Sequence, residues 1–375
     1  MHALLLCFLA LDGNRLETRV PAAERAAFVT TLGTDTVALE RFVRSATRVE
    51  GDIVLRIPGT VRFHYIVELG RDGAPSQSVL EQTPLAAPGI EPRRVTFALA
   101  GGVAPVFTTG FGSSFGLYGS LGLYELLLSR VPLRVGDTTS VPIFGVTSGR
   151  SGSLRVVRRS DEDIDVAWFQ IAWLHLKVDA DRRIVAVDAR ETTEKTLTHR
   201  TDDLDIDRLA DDYAARDRAG RGLGVGSPDD TVRASVGAAR VRVTYGRPRR
   251  RGRDLVGGVI PYDQVWRTGA NAATVMTLDK DARIGGVPLP AGVYSLWTLP
   301  TRTGVTLVVS RDYGQWGTSY DPSHDVARVP LIVSTADAPV EQFTIDVPAA
   351  GGASVLRLRW GAFVWTVPIA VALDP

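Results

Sequence analysis

The residues best suited to chemistry in this sequence lie in one short stretch, PYDQVWRTGANAAT, residues 261–274. Trp266 offers a large apolar surface with one N–H donor, and Arg267 offers a planar fork of donors that suits a carboxylate or a phosphate. Asn271 can both donate and accept a hydrogen bond. The small residues around Asn271 let a ligand or another segment of backbone approach closely. This combination predicts a ligand-binding loop.

A second aromatic stretch, YGQWGTSYD, and a basic run, RPRRRGR, extend the candidate site. Exposed aromatic side chains on loops over a β scaffold grip sugars and other small molecules, and clustered arginines suit an anionic ligand. We therefore expect a small molecule or a carbohydrate as the partner. The candidate ligand-binding residues are Arg247, Arg253, Tyr262, Trp266, Arg267, Asn271, Trp316, Tyr320 and Asp325.

Two other interpretations of these residues stay open. In the first, Arg267 is buried and paired with a carboxylate such as Asp325, so that the cluster holds a long loop in place. In the second, the protein is a hydrolase-type enzyme that uses Arg267, Asn271, His324 and Asp325 in one cleft, where an arginine beside an amide would stabilise a developing anion. Because no nucleophile or general base stands at a recognisable spacing, a non-catalytic binding or structural role is favoured.

Other sequence motifs carry little chemistry. GSSFG, residues 112–116, matches G-x-S-x-G with Ser114 in the nucleophile position, but that motif works on the strand-to-helix turn of an α/β-hydrolase, and the surrounding pattern predicts a glycine-rich loop. None of the five histidines has metal-ligand spacing. Cys7 is the one cysteine, which rules out a disulfide framework. We therefore expect neither a metal nor a cofactor.

The charge balance makes nucleic acid an unsuitable partner. Lys and Arg number 43 against 42 Asp and Glu, so no overall field attracts a polyanion or a membrane surface. The basic run also lacks the interleaved aromatics of nucleic-acid sites.

The apolar segment ALLLCFLAL, Ala3–Leu11, is too short to span a bilayer. Its length suits the apolar region of a signal peptide, although no basic residue precedes it and no small-x-small cleavage site follows. We predict an atypical export signal in residues 1–14 and a periplasmic or envelope location. The alternative is a first β-strand in a cytoplasmic protein.

Alternation with a period of two residues predicts an all-β fold. ARVRVTY places Val241, Val243 and Tyr245 on one face, and FVWTVPI does the same for alternate residues near the end of the chain. Frequent turn signals between such runs favour antiparallel sandwiches or barrels over βαβ units. With 375 residues, the chain is long enough for two domains.

The sequence indicates where those domains divide. Residues 15–200 predict an antiparallel β domain, a curled meander or half-barrel with a helix at Leu117–Arg130. Residues 201–232 contain an acidic amphipathic helix and a glycine-rich linker. Residues 233–375 predict a β-sandwich of jelly-roll type.

The second half resembles a bacterial family known as domain of unknown function 2911, over Ala234–Val371. The matching pieces are Tyr245-Gly246-Arg247-Pro248, Arg251-Gly252-Arg253, Pro261-Tyr262, the run from Trp266 to Asn271, Pro290-Ala291-Gly292 with Tyr294, and Trp316-Gly317 with Tyr320. The resemblance implies a β-rich, usually exported domain without an established activity.

The sequence departs from that family's pattern at two places. Ala272 stands where the pattern commonly has an acid, and the family often has an asparagine near Ser310. If the acid serves catalysis or metal binding in relatives, this protein lacks that role. The first half resembles no named family, beyond a likeness to exported half-barrel domains.

Overall fold

The structure is a computed structural model that describes residues 23–87, 89–99, 103–106, 109–111, 114–116, 120–147, 149–168, 172–350 and 353–371. Within these residues the chain consists mostly of antiparallel strands with two α-helices, which confirms the predicted all-β class. The predicted export segment, residues 1–14, lies outside the described residues.

The first half of the chain builds one large open sheet. In chain order its strands and helix are β1 (Glu24–Leu32), β2 (Asp35–Arg44), β3 (Arg48–Leu55), β4 (Val61–Leu69), β5 (Pro75–Pro84), β6 (Arg93–Ala98), β7 (Ala104–Val106), β8 (Thr109–Phe111), β9 (Ser114–Gly116), α1 (Leu121–Arg130), β10 (Thr138–Gly145), β11 (Arg150–Arg158), β12 (Asp163–Trp168), β13 (Ala172–Val178), β14 (Ile184–Asp188) and β15 (Leu197–Thr201). The sheet has 13 strands in the order β6-β5-β4-β3-β2-β1-β15-β14-β13-β12-β11-β10-β7, which is the predicted meander. β8 and β9 pair as a separate hairpin.

Helix α1 packs against one face of this sheet. Almost all of its side chains are buried, and they join a core cluster with inward residues such as Phe28, Phe42 and Ile53. An apolar helix of this kind must be covered on all sides, and the curled sheet provides that cover.

A buried carboxyl group caps the start of α1. Glu40 of β2 accepts hydrogen bonds from the backbone N–H of Leu121 at 2.5 Å, from that of Gly122 at 3.1 Å, and from the Tyr65 hydroxyl at 2.8 Å. These donors satisfy N–H groups that a helix leaves free at its start. Burial nevertheless raises the pKa of Glu40 to about 7.

Helix α2 (Ile206–Arg218) covers the other face of the same strands. Asp205 is its N-cap and accepts from the Arg208 N–H at 3.1 Å, as the acidic N-cap pattern predicts. Its apolar residues pack on Leu39 and Val54, whose side chains alternate with those that face α1. No helix of the described residues is long and apolar enough to cross a membrane.

The second half builds a sheet of 10 strands around a core of its own. Its elements are β16 (Asp229–Val236), β17 (Ala239–Gly246), β18 (Thr274–Leu278), β19 (Ala282–Ile284), β20 (Val287–Leu289), β21 (Gly292–Pro300), β22 (Val305–Ser310), a 3₁₀ turn (Pro322–His324), β23 (Asp325–Asp346), β24 (Ala349–Ala350) and β25 (Ala353–Val371). The main order is β16-β17-β18-β21-β22-β23-β25-β19-β20. The long strands β23 and β25 pair with each other and connect the strands β16 to β22 with the short strands β19 and β20.

The two halves meet at the turn between β1 and β2. The Thr34 N–H donates to the Arg251 carbonyl at 2.9 Å, and the buried Arg251 guanidinium forms an ion pair with Asp35. Gly33 has a φ of 62°, and a Cβ there would collide with the Arg251 carbonyl. Only glycine therefore fits this contact. The division of the chain at residues 201–232 stays a prediction.

We predict that Glu40→Gln removes one component of the pH dependence of stability. The folded-state pKa is about 7 against an ordinary value of 4.5, so the folded protein binds more protons than the unfolded chain between these values. The contribution of Glu40 to the free energy of unfolding is therefore lost as pH rises from 4.5 through 7, by about 3 kcal/mol in total.

Urea unfolding of wild type and Glu40→Gln at pH 5, 6, 7 and 8 measures this difference. Glu91→Gln, at an exposed position without a described partner, is the control. The assignment fails if the stability difference between wild type and Glu40→Gln is constant over this pH range.

Candidate functional site

The loop between β17 and β18, residues 247–273, carries most of the predicted site, and Trp266 anchors it. The backbone N–H of Trp266 donates to the Thr298 carbonyl at 2.8 Å, and the backbone N–H of Thr298 donates to the Trp266 carbonyl at 2.9 Å. The indole is buried, stacked on Trp360 at 5.9 Å between ring centroids and edge-on to Phe343 at 5.1 Å. Trp266 therefore fixes the loop to the core and presents no face to a ligand.

Arg267 follows this anchor and points its guanidinium outward. It is half-buried, and its Nη1 donates to the Asn271 carbonyl at 3.3 Å. No carboxylate of the described residues lies within ion-pair distance, and burial lowers the pKa of Arg267. The predicted pair with Asp325 is not formed. Arg267 is thus a half-buried cation without an anionic partner among the described residues, and none of its nitrogens is buried without a hydrogen-bond partner.

Asn271 and the segment Gln315–Gly317 hold Arg267 in place. The Asn271 carbonyl accepts from the Gly317 N–H at 3.0 Å, and Ala272 forms a β-bridge with Trp316. A Cβ on Gly317 would collide with the Arg267 Cδ and lie 2.6 Å from the Asn271 carbonyl oxygen. We call Arg267, Asn271, Trp316 and Gly317 the Arg267 corner.

The backbone of this corner is strained. Thr268 has a φ of 52° and Asn271 a φ of 64°. Left-handed conformations cost free energy for residues other than glycine, and they persist where the surrounding structure enforces them. Thr274 supplies part of that support, because its hydroxyl donates to the Thr268 carbonyl at 2.7 Å.

Tyr320 and Asp325 form a separate network. The Tyr320 hydroxyl donates to Asp325 at 2.7 Å, and Arg328 donates to the same carboxylate at 2.7 Å. Burial, with the hydrogen bond to Asp325, raises the pKa of Tyr320 to about 12. The His324 Nδ1 has no hydrogen-bond partner in the described part of the chain and lies 3.8 Å from the Asp312 carboxylate. The structure therefore does not bring His324 and Asp325 to Arg267.

The remaining predicted residues lie elsewhere on the loop. Arg247 pairs with Asp230 at 3.0 Å and also donates to the Phe343 carbonyl at 3.1 Å and the Thr344 hydroxyl at 3.0 Å, so its donors serve the fold. Tyr262 lies under the Arg302 guanidinium, 5.0 Å from the ring centroid. Arg253 donates to the carbonyls of its own turn.

A cleft of about 550 Å³ in the first half was not predicted. Its lining includes the cross-strand neighbours Arg41, Asp52 and His64. The Nδ1 atom of His64 lies 3.1 Å from the Asp52 carboxylate, and the Nε2 atom of His64 lies 3.3 Å from the Glu50 carboxylate. A signal was present, because Asp52 and His64 lie equally far from the turn at Pro58, and hairpin symmetry makes them neighbours.

The His64–Asp52 pair shifts both titrations. The hydrogen bond to Asp52 raises the pKa of His64, and burial opposes but does not cancel this effect. Burial disfavours ionised Asp52, yet the hydrogen bond with His64 and the guanidinium of Arg41 lower the pKa of Asp52. No group of three or more acidic, His or Cys side chains in the described ranges is arranged to hold a metal ion.

Ser114 belongs to the short strand β9. A nucleophile elbow requires the serine at a strand-to-helix turn, so the G-x-S-x-G match lacks its structural setting.

Comparison with known protein families finds a match in the second half of the chain. Residues 227–369 match a family described as "Protein of unknown function (DUF2911)". This match confirms the resemblance predicted from the sequence, and it contains the whole Arg267 corner. The first half of the chain has no such match.

The structure is also similar to the crystal structure of a DUF1089 family protein from Pseudomonas aeruginosa. The identity is 10%, the TM-score is 0.30, and the similarity covers 41% of this chain and 90% of that one. No curated protein sequence matches the chain.

We predict that Gly317→Ala destabilises the Arg267 corner. Its added methyl group has to displace the Asn271 backbone as well as the Arg267 side chain, which costs about 1–3 kcal/mol in the free energy of unfolding. Chemical denaturation measures the cost. Gly304→Ala is the matched control, since a Cβ at Gly304 meets nothing within 4 Å. Equal stabilities for the two variants would contradict the described packing.

We also predict that the pKa of His64 lies above its ordinary value of 6.5 and falls in Asp52→Asn, because the hydrogen bond to a charged acceptor is removed. NMR titration of the imidazole ring protons measures both pKa values. Asp161→Asn is the control, because Asp161 is an exposed acid near another turn, and we expect it to leave the titration of His64 unchanged. An identical titration in wild type and Asp52→Asn would exclude the pair.

Proposed function

We propose that this protein is a non-catalytic binding protein whose small-ligand site is the Arg267 corner. The observation that carries this proposal is the state of Arg267. Its guanidinium is half-buried, makes one hydrogen bond to a backbone carbonyl, and has no carboxylate partner among the described residues. A half-buried cation without an anionic partner has lost part of its hydration, and a ligand that supplies acceptor oxygens offsets that loss.

The backbone around Arg267 supports the same conclusion. The left-handed Thr268 and Asn271 stand on both sides of Gly269 and Ala270, within six residues of the Trp266 anchor. Strain of this kind is concentrated at binding and active sites, where a particular geometry is worth its cost. The corner is therefore held ready by the fold, as a preorganised site requires.

The residues near the corner favour binding over catalysis. A hydrolase needs a nucleophile or a general base within reach of the group that stabilises the anion. Asp325 is engaged by Tyr320 and Arg328, and neither Asp325 nor His324 contacts Arg267. Export, expected from Ala3–Leu11, remains part of the proposal as a prediction from sequence.

We predict that a ligand of this site raises the melting temperature of the full chain, because it binds the folded state alone. The panel contains carboxylates, phosphates and sugars. In Arg267→Gln the shift disappears, whereas the melting temperature without ligand changes by only a few degrees, since no ion pair is lost. Differential scanning fluorimetry measures both quantities.

Arg233→Gln is the matched control, since Arg233 is exposed on β16 and has no described ion pair. It should keep the ligand-induced shift. The proposal is wrong if no compound shifts the wild-type midpoint, or if the shift survives in Arg267→Gln. A melting temperature of Arg267→Gln far below that of wild type would instead support a structural role.

A further inference from the structure

Two long strands of the second half continue as a short ribbon past the end of their neighbour. Residues 332–335 of β23 pair with residues 363–366 of β25, and we call these eight residues the ribbon. On its other side β23 pairs with β22, but that pairing ends where Val305 meets Leu331. From Ile332 to Thr335, the second edge of β23 therefore has no strand beside it among the described residues.

The ribbon carries exposed apolar side chains on both of its faces. Ile332 is 62% exposed and Val333 is 53% exposed, and neighbours on a strand point to opposite faces. They are the one consecutive pair among the exposed large apolar side chains of the described residues. Val333 lies opposite Trp365, which is buried and stacked on Phe363 at 4.0 Å between ring centroids. Covering such a surface removes apolar area from water, which is favourable.

No charge protects the ribbon from association. Its eight residues include no acid, no base and no proline. Soluble proteins usually block free strand edges with charged side chains, with proline or by making the edge strand very short. The outermost strands of the two sheets follow this rule with Arg93 and Arg94 in β6, with Asp229, Asp230 and Arg233 in β16, and with Pro105 and Pro288 in the three-residue strands β7 and β20.

The uncharged ribbon is suited to contact with itself. In a two-fold symmetric contact the same surface patch is used by both copies, so each residue meets the same set of residues from the other copy. A charge in such a patch repels its own copy, because like charges opposite each other are unfavourable. The ribbon contains no charge, so nothing in it opposes a second ribbon. A partner that is recognised by its charge finds no complementary charge there.

We infer that the ribbon is the contact surface of a homodimer, in which two copies of the chain bury Ile332 and Val333 against each other about a two-fold axis. Eight residues per copy are few beside the roughly 20–30 residues per side of a standard interface. The dimer is therefore weak, and its population rises with protein concentration. The inference is independent of the proposed function, since no residue of the Arg267 corner belongs to the ribbon.

Analytical ultracentrifugation of the full chain over a series of concentrations tests the inference. We expect wild type to shift from the mass of one chain to the mass of two as the concentration rises. Val333→Lys and Ile332→Lys should each abolish the dimer, because each places like charges from the two copies in one contact. Val333→Ala adds no charge but removes apolar area from both copies, and it should weaken the dimer roughly tenfold.

Val185→Lys is the matched control. Val185 is a 45% exposed valine on β14 in the first half, and its substitution adds the same charge. This variant should dimerise like wild type. Circular dichroism and the melting temperature confirm that each variant is folded, and we expect small changes because the substituted positions are exposed.

Four outcomes would overturn the inference. Wild type could stay a monomer at every concentration, or it could dimerise equally well with both lysine substitutions in the ribbon, which would place the contact elsewhere. Equal loss of the dimer in Val185→Lys would show that added charge alone prevents association. Larger oligomers without a dimer would indicate an open-ended contact instead of a closed two-fold one.

Discussion

The anchoring of Trp266 in the core is the constraint on which the candidate site depends. The loop 247–273 is long, and an unsupported loop of that length would be mobile. A backbone pair with Thr298 and the stack on Trp360 fix its middle. Because Trp266 is fixed, the residue that follows it is directed away from the core, toward Gly317 and the solvent.

This anchoring also explains where the strain lies. Between the bond at Trp266 and the start of β18 at Thr274, the chain has to turn back within seven residues. Left-handed conformations at Thr268 and Asn271 make that turn, and the N–H of Gly317 is bonded to the Asn271 carbonyl. The asparagine suits its position, since its short polar side chain tolerates the left-handed region.

Much of the architecture could be predicted from the sequence. Alternation in segments such as ARVRVTY reports directly which side chains face the core, and the Asp205 cap marks the start of α2. Local signals of this kind depend only on neighbouring residues. The resemblance over Ala234–Val371 was carried by such local motifs as well, and the family match over residues 227–369 confirms it.

The arrangement of the site could not be predicted in the same way, because it depends on contacts between distant residues. The sequence places His324 beside Asp325, but the carboxylate turns to Tyr320 and Arg328 instead. By contrast, Asp52 and His64 were within reach of sequence reasoning, since one hairpin pairs them.

Several buried charges elsewhere in the protein have charged or multiple partners within the fold. Glu40 receives three hydrogen bonds from protein donors, Glu125 accepts from Arg200 at 2.5 Å, and Arg251 pairs with Asp35. In each case the fold supplies donors or an opposite charge, as buried charges require. Arg267, like the more deeply buried Arg56, donates only to a backbone carbonyl among the described residues. Under the proposed function, the bound ligand supplies Arg267 with acceptor oxygens that the described residues of the protein do not provide.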